Sequence, residues 1–140
     1  MHYSKVLTTT VTSLIICSAS IAMADADSAM SQIRNDHPNL MTVNRAGQIH
    51  KILDKELSVG KTPIASAENF IKTFSPALDV DAKEFIERGP FPDRHFEQEL
   101  MYIPETGGHK FTGVYYMQTA DGLPVYGSRL MVLVRNINDF

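Results

Sequence analysis

The chain of 140 residues carries 13 Lys and Arg against 16 Asp and Glu, a formal net charge of −3. Both signs are interspersed along the chain, which argues against a nucleic-acid-binding surface. The single cysteine, Cys17, lies in the N-terminal stretch. Residues 25–140 can therefore form no disulfide, thiolate metal site or thiol nucleophile, and they suffice for one small domain with a single core.

Residues 1–24 have the features of a secretory signal peptide. Lys5 gives a positive start, residues 6–21 are uncharged and mostly apolar or small, and Ala22-Met23-Ala24 matches an A-x-A cleavage site. A membrane anchor is the alternative, but Thr and Ser dilute the stretch, and a spanning helix needs roughly 20 strongly apolar residues. We expect secretion or delivery to the periplasm, cleavage after Ala24, and no stable membrane insertion of the mature chain.

The first part of the mature chain contains two predicted pieces. Residues 25–38 are polar with few apolar side chains, which predicts a frayed helix or a flexible arm ended by Pro38. Residues 40–60 have a turn signal at Arg45-Ala46-Gly47 between two extended-looking stretches, which favours two strands. A short helix is the alternative for this piece, since Ile49, Ile52, Leu53 and Leu57 also fit helical spacing.

The pair Thr62-Pro63 predicts the start of a helix, because the threonine hydroxyl accepts free backbone N–H groups and proline has no donor to lose at the first position. Pro76 is expected to end this helix near Phe74. A polar and an apolar face follow at helical spacing, the polar one with Glu68, Asn69, Lys72 and Thr73 and the apolar one with Ala67, Phe70, Ile71, Phe74 and Leu78. A short turn then leads to residues 88–94, where Pro90 and Pro92 predict an irregular loop.

Beyond Arg94 the apolar pattern changes to period two. Residues 95–103, 110–119 and 123–135 are strand candidates separated by strong turn signals, which predicts an antiparallel meander. In the last strand Leu130, Val132 and Val134 share one apolar face that needs a cover. The apolar stripe of the helix provides it, so we predict an α+β fold with a curved antiparallel β-sheet packed against one main α-helix.

No group of residues in the sequence forms a self-sufficient active site. His95 and Glu99 have the spacing of a helical ligand pair, but on a strand they are about 13 Å apart at ~3.3 Å per residue, and no His-Glu-x-x-His occurs. Glu97 and Glu99 would lie roughly 7 Å apart on one strand face, which makes a paired-carboxylate hydrolase the most distant alternative. Asp79, Asp81 and Glu84 do not match a calcium loop, and helix capping by Asp79 or Asp81 is the better explanation. We expect a protein that is not an enzyme and holds no metal or cofactor.

The sequence DGLPVYGSRLMVLV, residues 121–134, predicts an irregular hairpin strand. Asp121-Gly122 makes a tight turn. Pro124 lacks an N–H group and therefore fits only an edge strand or a bulge, and Gly127 lets the same strand bend. Tyr126 then points either outward, toward a partner, or into the core. Protection of a sheet edge against aggregation is the alternative purpose of these residues.

With these features, residues 110–134 resemble the fungalysin/thermolysin propeptide (FTP) domain. The pattern of that family is a strand ending in glutamine, a short turn with glycine, an apolar-Pro-Val-aromatic-Gly run and an alternating strand. The matching positions here are Gln118, Gly122, Pro124, Val125, Tyr126 and Gly127. The helix that begins at Thr62 is similar to the single helix of the family, and residues 39–140 are the expected FTP-like domain.

The resemblance implies a non-catalytic, secreted domain that inhibits a thermolysin-like zinc metallopeptidase or assists its folding, in cis or in trans. We expect Gln118, Pro124, Tyr126 and Arg129 to contact the partner, while Gly122, Val125 and Gly127, together with Pro124, shape the strand. Precursors of the family continue into a catalytic domain, so a precursor truncated at its C-terminus is one expectation. A free-standing periplasmic or extracellular binding module for another ligand is the alternative.

Overall fold

The computed structural model describes residues 18–136, which form an α+β fold with two antiparallel sheets. The predicted α+β class is confirmed. Residues 1–17, which hold most of the predicted signal peptide, lie outside the described residues, as do residues 137–140. Within residues 18–136 no helix is long and apolar enough to cross a membrane.

The first helix, α1, comprises Ser18–Asp36 and runs through the predicted cleavage point after Ala24. Its residues Met30 and Ile33, one turn apart, are buried in the main core. The helix contacts the 3-10 helix Ser75–Leu78. Residues 25–36 are therefore a packed helix where a frayed helix or flexible arm was predicted, because two apolar side chains on one face are enough to anchor it.

Two strands, β1 (Met41–Arg45) and β2 (Gln48–Leu53), form a separate antiparallel hairpin. Ala46 and Gly47 at its turn have φ of 51° and 78°, and positive φ at both central residues suits a two-residue hairpin turn. The predicted strand pair is confirmed, and the short-helix alternative is wrong. Ile49 and Ile52 pack against the main core from this hairpin.

The second helix, α2, comprises Pro63–Phe74 and begins as predicted. The Ala65 N–H donates to Thr62 Oγ1 at 3.1 Å, which caps the helix, and Pro63 occupies the first turn. The apolar stripe from Ala67 to Phe74 is buried, and the helix ends where Pro76 requires it. Residues 18–136 thus contain two α-helices where one main helix was predicted.

The larger sheet is built around the long strand β5, Gly108–Ala120. One side of β5 pairs with β6, Leu123–Arg135, and the other pairs with β4, Glu97–Ile103, and β3, Phe85–Glu87, one after the other. All three pairings are antiparallel, and β4, β5 and β6 are the predicted meander. Strand β3 was not predicted, since three residues are too few to show a period.

The two faces of this sheet differ in burial. Val114 of β5 is fully buried and pairs with Val132 of β6, and Val132 packs against the same core as Phe70 and Phe74 of α2. The predicted burial of this face of β6 against α2 is therefore confirmed. The alternate residues of β6, such as Leu133, are exposed on the other face.

Candidate partner-binding site

Strand β6 contains a large bulge at the position of the PVYGS sequence. Arg129 pairs with Met117 of β5, but the next pair toward the turn is Pro124 with Thr119. Residues 125–128 of β6 therefore lie opposite a single residue of β5, Gln118. Pro124 occupies an edge strand of the sheet just before this bulge, as its missing N–H group requires.

The backbone of the bulge is held by Gly127 and Ser128. Gly127 has φ of +76°, in the region that residues with a side chain adopt only under strain. The Ser128 hydroxyl lies 2.8 Å from the Val125 carbonyl oxygen and 3.3 Å from that of Gln118. Because a hydroxyl has a single proton, the shorter bond to Val125 is its main interaction, and it closes the bulge into a turn.

Tyr126 lies at the apex of this bulge and its exposed fraction is 103%. Of the two orientations that the sequence left open, the structure shows the outward one. The neighbouring Val125 is half-buried. An extended strand would bury a tyrosine on one face or leave it lying along the other, whereas the bulge lifts this ring away from the sheet.

The hairpin that carries the bulge is held near its turn. Thr119, which is buried, donates its hydroxyl to Glu84, with the Oε2 atom at 2.7 Å and the carbonyl oxygen at 3.1 Å. At the tip, Asp121 and Gly122 have φ of 52° and 78°, which agrees with the predicted tight turn. The hydrogen bonds of Thr119 and the tight turn therefore hold the hairpin next to the bulge in place.

Two cavities adjoin the bulge and share Arg129 as a wall. The first, which we name the loop pocket, has a volume of about 230 Å³ and is lined by residues 88–92, 115–117, Pro124 and Arg129. The second, the helix pocket, has a volume of about 760 Å³ and lies among α1, the β1–β2 hairpin and the bulge, with Gln118 and Gly127 in its wall. Three of the four residues predicted to contact a partner, Gln118, Pro124 and Arg129, line these cavities, and the fourth, Tyr126, is exposed in the bulge beside them.

The loop of residues 88–94 is irregular, as predicted, but its part in the site was not foreseen from the sequence. Arg94 N–H donates to the Phe91 carbonyl oxygen at 3.1 Å, and a Cβ atom on Gly89 would lie 1.8 Å from the Arg94 carbonyl oxygen. The loop is thus folded tightly on itself. It holds Phe91 between two prolines with 61% of its surface exposed. The sequence feature that could have indicated an exposed ring in this loop is a phenylalanine with a proline on each side.

Tyr116, one of the residues that line the loop pocket, has a side chain buried in the core. Its side chain is 4% exposed, and its oxygen has no hydrogen-bond partner among residues 18–136. Burial, together with the charges of Glu87 and Glu68, raises the pKa of Tyr116 to about 12. The phenol is therefore neutral at ordinary pH and acts as part of the core.

Of the acidic candidates, Asp79 lines the helix pocket, whereas Glu97, Glu99 and Asp81 belong to the wall of neither pocket. Glu99 Oε2 is 3.2 Å from His109 Nδ1, and the Glu97 N–H donates to His95 Nδ1 at 3.2 Å. Asp81 caps the 3-10 helix Ala82–Glu84 by accepting the Lys83 N–H at 3.0 Å, which confirms the capping explanation. Within the described residues no three His, Cys, Asp or Glu side chains are grouped closely enough to hold a metal ion.

Comparison of the chain with protein-family models, with curated protein sequences and with solved structures finds no match. The resemblance to the FTP domain therefore depends on the residues of the hairpin and the helix alone.

Proposed function

We propose that this protein is a non-catalytic, secreted propeptide-like domain that binds a thermolysin-like zinc metallopeptidase, as inhibitor or folding assistant, in cis or in trans. The observation that carries the proposal is the bulge of β6, which holds Tyr126 fully outside the sheet. This bulge is formed by the same residues that resemble the FTP pattern, so sequence resemblance and exposed surface coincide.

The bulge costs stability because it breaks the ladder of hydrogen bonds between Met117 and Thr119. Gly127 adopts its left-handed backbone without steric strain, which makes the bulge possible at this position. Bulges occur often at sheet edges and next to functional sites. Tyrosine is a frequent anchor of protein interfaces because it buries a large rigid area together with a polar hydroxyl.

The signal peptide belongs to the proposal, since a metallopeptidase precursor of this kind is exported. The N-terminal sequence of secreted protein tests it. A chain beginning at Asp25 is expected, whereas secreted protein that retains Met1 or is lipidated at Cys17 would contradict it.

The test of partner binding compares two exposed tyrosines. Purified protein is titrated into a thermolysin-like peptidase, and activity and refolding yield are measured. We expect Tyr126→Ala to weaken binding by roughly 30-fold, the effect of losing an interface anchor worth about 2 kcal/mol, with a stability change within about 0.5 kcal/mol.

Tyr102→Ala is the matched control, since Tyr102 lies on β4 and is 60% exposed. It should leave binding unchanged. Unchanged peptidase activity and refolding yield at all concentrations would instead favour the alternative function, a free-standing binding module for another ligand. Turnover of a substrate that is lost in Glu97→Gln would favour a hydrolase.

A further inference from the structure

The loop pocket combines an apolar interior with two arginines that have no acidic partner. Phe91, Pro90, Tyr115 and Met117 contribute apolar surface. Arg88 and Arg129 belong to its wall, and neither has a carboxylate within 4.0 Å among the described residues. The pocket is therefore basic in a chain whose net charge is −3.

The positions of both arginines are set by the backbone of the sheet. The Arg88 N–H donates to the Tyr115 carbonyl oxygen at 3.1 Å, which extends the pairing of β3 with β5 by one residue. Arg129 pairs with Met117 on the other side of β5. The backbones of the two arginines are thus fixed on opposite sides of one strand, and both residues line the pocket.

The size of the pocket limits what it can hold. Its volume of about 230 Å³ is below the roughly 300–1,000 Å³ typical of small-molecule sites. One large apolar side chain and its neighbour fill such a space. Phe91 belongs to a tight loop with two prolines, so little backbone entropy is lost when a ligand packs against it.

The geometry points to a site for a peptide segment of the partner protein that carries a carboxylate beside a large apolar side chain. The apolar side chain enters the loop pocket, and the carboxylate accepts hydrogen bonds from Arg88 and Arg129, whose planar guanidinium groups suit that geometry. This inference rests on the proposed function in one respect, because it names the chemistry by which the partner docks beside Tyr126.

The test uses three capped tetrapeptides and no peptidase. Acetyl-Gly-Glu-Phe-Gly-amide is titrated into ¹⁵N-labelled protein and followed by the backbone amide signals of Arg88, Phe91, Met117 and Arg129. The second peptide replaces Glu by Gln and the third replaces Phe by Ser. We expect each replacement to weaken binding about 10-fold, because the Gln peptide loses charge-assisted hydrogen bonds and the Ser peptide loses the burial of an aromatic ring.

Variants of the protein provide the second comparison. Arg129→Gln and Arg88→Gln should abolish the preference for Glu over Gln. Arg135→Gln is the matched control, because Arg135 lies on the same strand at an exposed position outside the pocket, and it should keep the preference. Gly89→Ala should abolish binding of all three peptides, since the added Cβ atom collides with the Arg94 carbonyl group.

Equal binding of the three peptides, no binding at millimolar concentration, or equal effects of Arg129→Gln and Arg135→Gln would overturn the inference. Its failure differs from that of the proposed function. If the protein binds the three peptides equally but Tyr126→Ala still weakens its binding to the peptidase, only the inference fails. If the peptides discriminate and no peptidase binds, the inference about the pocket is retained and its partner is another protein.

Discussion

Replacing Ser128 by alanine tests whether one hydroxyl group closes the bulge that presents Tyr126. The variant removes the 2.8 Å bond to the Val125 carbonyl oxygen. A single neutral hydrogen bond contributes about 0.5–1.5 kcal/mol to stability. Val125 is half-buried, so water can reach its carbonyl group once the hydroxyl is gone, and the loss falls in the lower part of that range.

Ser128→Ala should lower the free energy of local opening of the bulge by the same amount. The open population should rise roughly 2- to 5-fold, since 1.4 kcal/mol corresponds to a factor of ten. Chymotrypsin, which accepts an aromatic side chain in its specificity pocket, reports this population by cleavage after Tyr126. When opening and closing are faster than cleavage, the cleavage rate follows the open population.

The matched control is Ser58→Ala. Ser58 donates to the Ser66 carbonyl oxygen at the same distance of 2.8 Å, far along the chain from the bulge. Ser58→Ala should lower the global free energy of unfolding by a similar amount in a urea titration and leave the rate of cleavage after Tyr126 unchanged. If both variants accelerate this cleavage equally, or if Ser128→Ala has no effect on it, the hydroxyl does not hold the bulge.

Three further predictions concern the core, the bulge and pH. Phe74→Ala, at a side chain with no exposed surface that stacks on Phe70 at 4.4 Å between ring centroids, should cost about 3–5 kcal/mol in chemical denaturation, whereas Lys72→Ala on the exposed face should cost less than about 0.5 kcal/mol. Gly127→Ala should cost about 1–2 kcal/mol through its left-handed backbone alone, because nothing lies within 4 Å of the added Cβ atom; an effect below the error of a urea titration would contradict this. The pKa of Tyr116 is raised from 10.0 to about 12 in the folded chain. The stability that its neutral phenol contributes is therefore fully present below pH 10 and is lost as the pH rises toward 12. Tyr116→Phe should remove this part of the loss of thermal stability at alkaline pH.

Local sequence signals were sufficient for helix α2 and for the hairpin turns. Thr62 and Pro63 act within one turn of helix, and Asp121-Gly122 acts within a two-residue loop, so the interactions that decide them connect near neighbours. The alternation of Leu130, Val132 and Val134 likewise predicted which face of β6 is buried. In each case the physical cause, a cap, a backbone preference or a period, is contained in a short stretch of chain.

Strand β3 and the packing of α1 could not be predicted in this way. Residues 85–87 are extended because β5 offers them its free edge, and Phe85 has no period of its own to indicate it. Met30 and Ile33 are too few to define an amphipathic helix, and their burial depends on the 3-10 helix that lies more than 40 residues later. Both features exist only because distant parts of the chain meet.

The sequence by itself determined that residues 121–134 form an edge hairpin with an interruption, because proline lacks a donor and glycine tolerates positive φ wherever they occur. Only the tertiary structure decided the size of the interruption and the direction of Tyr126, since these depend on which residue of β5 pairs with Arg129. The same holds for the loop pocket. Arg88 and Phe91 are about 40 residues from Arg129 in the chain, and they become its neighbours because β3 and β6 pair with opposite sides of β5.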